Sequence, residues 1–140
     1  MPLATASANL GADAPDYVVS IQTGNHTLTG DEGPHEGGTD QGPAPFAFVL
    51  SGLVACTAAT LRMYMQRKNW PTGSLVVNAE LHRDHDGTPY IRRTVDIAVR
   101  LDDAQNVRLA EICEKTPVTL FIKRGTRIDT TLSSLQPPAS

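Results

Sequence analysis

The chain has 140 residues, 40% of them hydrophobic and 19% charged, with a formal net charge of −3. That length predicts one domain. Twelve Lys and Arg against fifteen Asp and Glu leave no basic stripe of the kind nucleic-acid phosphates require, and aromatic residues make up only 5%.

The opening MPLATASANLGADAPDY has neither a basic n-region nor an apolar h-region, so no secretory signal is expected. Residues 1–16 and 133–140 read as flexible ends flanking a single domain, 17–132. The default compartment is then the cytoplasm, where the two cysteines are free thiols or a redox couple rather than a structural bridge.

Tyr17 to Gln22 alternates as a strand, Gly24-Asn25 signals a turn, and His26 to Thr29 returns as a hairpin partner. The stretch GDEGPHEGGTDQGP, with five Gly and two Pro, is a loop. Its acidic residues Asp31, Glu32, Glu36 and Asp40 read as solvated. Pro43 to Asn69 is the central element. It holds no charge from Phe46 to Leu61, has prolines suited to a first helical turn, and ends in Arg62, Arg67 and Lys68, where a helix dipole favours cations.

Apolar side chains surround this helix, which predicts burial on every side, with Gly52, Cys56 and Thr60 forming a small-residue stripe. The uncharged run is diluted by Gly, Ser and Thr and is barely long enough for a bilayer, so a core helix is expected rather than a membrane span. Covering it on all sides is a demand a partner subunit could meet.

Ser74 to Arg83 alternates as a strand, Asp84-His85-Asp86-Gly87 is a hairpin loop, and Tyr90 to Leu101 is the partner strand. Asp102 or Asp103 caps a second helix, Ala104 to Lys115, which Pro117 interrupts. Val118 to Lys123 makes a short turn or helix, and Thr126 to Leu132 closes the chain as a strand. The order is β-β-α-β-β-α-β, an α+β fold.

Two residues could carry chemistry. Cys56 lies in mid-helix, where the dipole does little for a thiolate, so it would need a cation from elsewhere in the fold. A buried core cysteine is the commoner use of such a residue. Cys113 lies 57 positions on, and the two could pair only if their Cα atoms come within about 7 Å. The four histidines are scattered and match no zinc spacing, so no metal is expected. The basic residues, Arg92 and Arg93 among them, read as solvent faces.

Three stretches together, GDEGPHEGGTDQGPAPF, LVACTAATLRMYMQRKNWP and LAEICEKTPVTLFI, resemble the OsmC/Ohr family of hydroperoxide-reducing and stress-response proteins, in its OsmC-like branch. The resemblance implies an intertwined homodimer with two central helices back to back. It also implies peroxiredoxin-like chemistry without a cofactor. Cys56 stands at the position of the cysteine that attacks the O–O bond, and a dithiol reduces the resulting disulfide.

Other positions depart from the pattern. Thr116, not Cys, precedes Pro117-Val118, leaving Cys113 as the nearest thiol for the resolving role. Phe46 and Ala47 occupy the helix start where the family carries Glu, and no Arg or Lys precedes Arg62. Two readings therefore stand side by side. One is a thiol peroxidase acting on organic hydroperoxides through Cys56. The other is a catalytically degenerate dimer of the same fold that binds a small molecule.

Overall fold

The computed structural model describes residues 1–135. In chain order they form β1 (Ser7–Asn9), β2 (Val19–Thr23), β3 (His26–Gly30), a 3-10 turn (Pro34–Glu36), α1 (Pro45–Arg67), β4 (Leu75–Arg83), β5 (Pro89–Ile97), α2 (Asp103–Cys113) and α3 (Pro117–Arg124). The architecture is α+β, with an antiparallel sheet in the order β1-β2-β3 and a second antiparallel pair, β4-β5.

β2 and β3 are joined by the two-residue turn Gly24-Asn25, where Gly24 takes a φ of +57° that favours glycine. β1 pairs with β2 through Ser7–Gln22, Ala8–Ile21 and Asn9–Ser20. This strand lies within the segment expected to be loose. Its short polar sequence gives little period-2 signal, and the ladder to β2 is what orders it.

The Gly-rich loop is held by one carboxylate. Asp31 is 3% exposed and accepts from the backbone N–H of Glu32 (2.7 Å), Thr39 (3.2 Å) and Gln41 (3.1 Å), and from the Thr39 hydroxyl (3.0 Å). It is therefore not solvated as its composition suggested, whereas Glu36 and Asp40 are exposed. These bonds stabilise the charged form and hold its pKa below the ordinary 3.8. Gly38 is required here, because a Cβ on it would stand 1.9 Å from the Glu32 carbonyl oxygen.

α1 starts with Pro45 at its first turn and ends with Arg67 in its last. With a mean hydropathy of 1.7 it is long and apolar enough to cross a bilayer, yet Leu53, Thr57, Leu61 and Met65 bury one face against the rest of the chain. The expectation of burial on every side fails for the single chain. Val49 is 48% exposed and Met63 51%, and Gly52, Ala55 and Ala59 lie on the same open side, while Phe46, 67% exposed, stands at the helix start above the Leu53 stripe. One β-hairpin and two short helices can cover only one side of a 23-residue rod.

The core centres on Leu61, Met65 and Leu109, with Trp70, Val95, Ile97 and Cys113 packed against it. β4 and β5 pair in register from Leu75–Ile97 to Arg83–Pro89. β5 stops at Ile97, short of the expected Leu101, where the chain bends and the Ala98 N–H donates to the Ser74 carbonyl (2.9 Å). Asp102 caps α2 in a full capping box with Gln105, and Thr116 caps α3 through the Thr119 N–H.

The expected last strand, Thr126 to Leu132, is absent. No strand among the described residues runs beside it to complete a ladder, and Ile128 and Leu132 are 82% and 92% exposed. Of the expected flexible tail, 133–140, residues 136–140 lie outside the described residues.

Leu61→Ala, which empties a fully buried position, is expected to lower unfolding stability by about 2–5 kcal/mol in denaturant titration. Asp31 has a folded pKa below its unfolded value. Its stabilising contribution is therefore complete above the ordinary carboxylate pKa and is lost as pH falls through the lowered one. Melting temperatures recorded downward from about pH 5 should fall more steeply for wild type than for Asp31→Asn, which lacks that titration.

Candidate active site around the central helix

Cys56 sits halfway along α1 and is partly buried, at the border between the helix's packed and open sides. Its Sγ lies 3.8 Å from Thr60 Oγ1, one turn on, a weak hydrogen bond between two members of the small-residue stripe. That stripe divides in the fold: Gly52 is exposed with open space above it, while Cys56 and Thr60 are half-buried.

Cys113 closes α2 and packs against the Leu61–Met65–Leu109 cluster. Burial pushes its thiol above the usual pKa, Arg93 pulls partly in the other direction, and Glu114 adds to the rise. The two cysteines are free thiols. Successive helical residues turn by about 100°, so Cys56 is rotated away from Thr57, the residue on the side of α1 that faces the end of α2. Thr116, at the position before Pro117, is fully buried, and its Oγ1 lies 2.6 Å from Thr119 Oγ1.

The residue that joins these parts is Arg93, whose side chain is 13% exposed. Its NH1 donates to the hydroxyls of Thr57 (3.0 Å) and Thr119 (2.8 Å). Its NH2 donates to the Cys113 carbonyl (2.8 Å) and to Glu114 (3.3 Å). One guanidinium thus ties β5 to the residue after Cys56, to the end of α2 and to α3.

Composition had placed Arg93 on a solvent face. The overlooked signal is the strand's period of two: Ile91, Arg93, Val95 and Ile97 all share the inward side of β5, while Arg92, Thr94 and Asp96 face out. Arg62 is also more than a surface charge, since its NH2 donates to the Gly73 carbonyl (2.8 Å) and its Nε is buried. Arg67, Lys68 and Arg92 are exposed as expected.

Beside Arg93 lies a cavity of about 700 Å³, within the usual size of small-molecule sites. Leu50 and Leu53 of α1, Leu81 of β4, Ile91 of β5 and Ile122 of α3 form its apolar walls. Arg93, Glu114 and Lys123 supply its charged groups, with Glu114 hydrogen-bonded to both cations. Among the described residues, no group of three or more His, Cys, Asp and Glu side chains comes together as metal ligands.

Comparison with known proteins places this arrangement. Several solved structures share the fold. An OsmC-like protein from Mycoplasma pneumoniae is 21% identical, with a TM-score of 0.69 over 87% of this chain and 88% of the other. The organic hydroperoxide resistance protein OsmC of Legionella pneumophila is 16% identical, with a TM-score of 0.67 over 88% and 90%. The organic hydroperoxide resistance protein OhrB of Bacillus subtilis is 21% identical, with a TM-score of 0.57 over 87% and 90%. Among curated proteins, no sequence matches. The family described as OsmC-like protein matches residues 38–131, a span that takes in α1, both strands of the β4–β5 hairpin, α2 and α3 with the two cysteines and Arg93. On that match, the chain belongs to the OsmC family.

Proposed function

We propose that this protein is a thiol-dependent peroxidase that reduces organic hydroperoxides through Cys56, acting as a homodimer in the cytoplasm. The observation that carries the reading is the half-buried Cys56 thiol in mid-α1, at the border of the helix's open side, in a chain of this family. Solved structures with the same fold bear the name organic hydroperoxide resistance protein, which supports the choice of oxidant. Free thiols suit a reducing compartment.

In the reaction, the Cys56 thiolate attacks the terminal peroxide oxygen and the O–O bond breaks. Cys56 becomes a sulfenic acid, and the alkoxide leaves as an alcohol after taking a proton. Cys113 is the resolving thiol. Its sulfur displaces the sulfenic hydroxyl as water to form a disulfide, which an external dithiol reduces. Arg93 holds the Cys113 carbonyl and the Thr57 hydroxyl on one guanidinium, and because Cys56 is turned about 100° from Thr57, the disulfide requires the end of α2 to move relative to α1.

The homodimer rests on the open side of α1. Val49 and Met63 expose large apolar area, and Gly52, Ala55 and Ala59 beside them permit close backbone approach. An apolar helical side of this kind is stabilised by cover, and a second copy presents the same surface.

A second reading is favoured by the cavity beside Arg93, which Cys56 does not line. In it the fold is a small-molecule binding module, and Phe46 at the helix start serves as apolar lining.

Peroxide consumption with cumene hydroperoxide and a dithiol reductant distinguishes the readings. Wild type should exceed the rate of the dithiol alone, and Cys56→Ser should fall to that background. Cys113→Ser should still form a sulfenic acid on Cys56, trapped by dimedone and read by mass spectrometry, but no intramolecular disulfide. Equal consumption by wild type and Cys56→Ser would falsify the enzyme reading. In sedimentation, wild type should run with the mass of two chains and Ala59→Glu, which buries a charge in the interface, with that of one. A wild-type mass of one chain would remove the dimer.

A further inference from the structure

We propose that the cavity between α1, the β4–β5 hairpin and α3 binds an amphiphilic monoanion. Its apolar body lies against Leu50, Leu53, Leu81, Ile91 and Ile122, and its anionic end takes the place of Glu114 on Arg93 and Lys123. The inference rests on the binding reading of this cavity and names its ligand class; it does not depend on peroxide chemistry at Cys56.

Charge comes first. Two cations and one carboxylate line the cavity, a net of one positive charge beside otherwise apolar walls, and such a site favours one negative group on a greasy body. The geometry then singles out the exchangeable member of the cluster. Arg93 is fixed by bonds of 3.0, 2.8 and 2.8 Å to Thr57, Thr119 and the Cys113 carbonyl, all partly buried. Its bond to Glu114 is the longest of the four, at 3.3 Å, and the Glu114 side chain is 58% exposed.

Glu114 can therefore leave Arg93 in place, provided its 2.5 Å ion pair with Lys123 breaks or moves with it. Lys123, also on the exposed rim at 55%, follows whichever carboxylate is present. Glu114 is ionised at neutral pH as any ordinary glutamate is, its pKa held lower still by the bond from Lys123 first and by Arg93, so it competes with an incoming anion. Glu114 is thus a built-in occupant that the ligand displaces.

The test uses the full chain carrying Cys56→Ser, with decanoate and decanol as probes in isothermal titration at neutral pH and low salt. Decanoate should bind about tenfold or more tightly than decanol. Glu114→Gln, which removes the competitor, should tighten decanoate several-fold and leave decanol unchanged, whereas Lys123→Glu should weaken decanoate only. Leu50→Trp should reduce binding of both probes, its folding checked by circular dichroism. If decanol binds as well as decanoate and Glu114→Gln changes neither, the anion preference is overturned while the binding reading stands. If neither probe binds, both fall, and the peroxide assay on Cys56 is untouched by either result.

Discussion

The guanidinium of Arg93 is the fastening on which the arrangement around α1 depends. A planar fork with donors in fixed directions can satisfy several acceptors at once, which a lysine ammonium on a flexible stem does far less well. Here its terminal N–H groups reach Thr57 on α1, the carbonyl that ends α2, Glu114 just beyond it and Thr119 on α3. A charge this far from water is tolerated only because those acceptors replace its hydration. The same bonds place the end of α2 beside Thr57 of α1, on the side from which Cys56 is turned away. The junction of α1, α2 and α3 and the cavity's charged end follow from one side chain.

The second constraint is the length and composition of α1. A 23-residue helix with apolar residues all round has more greasy surface than this chain can cover. The fold resolves part of the demand by packing Leu53, Leu61 and Met65 inward and leaves Phe46, Val49 and Met63 outside. The helix therefore has three distinct sides. Its inner side anchors the core, its border carries the thiol, and its outer side is free to meet another surface. Thr126 to Leu132 joins neither described sheet, although β4 and β5 each keep an unpaired edge.

Local signals were reliable where the chemistry is local. Helix α1 was legible from its uncharged run and its prolines. The start of α2 was legible from Asp102 before an apolar-periodic segment, and the β4–β5 hairpin from alternation around Asp84-His85-Asp86-Gly87. The likeness to the OsmC/Ohr family was carried by short motifs in the loop, in α1 and around α2, and the family match over residues 38–131 agrees with it. Two features were misjudged because their residue types usually belong in water. Asp31 is buried by backbone N–H groups that converge on it from as far as Gln41, and Arg93 is buried by partners on three helices.

The sequence by itself determined the α+β class, the apolar central helix, the caps and turns and the two thiols, because each depends on residues within a few positions of one another. Only the tertiary structure decided which side of α1 is covered, that Ser7–Asn9 forms a strand, and that Arg93 rather than any N-terminal cation stands at the centre of the polar network. Those outcomes depend on contacts between segments distant along the chain. Burial and hydrogen-bond satisfaction there are properties of the assembled fold, which no window of neighbouring residues contains.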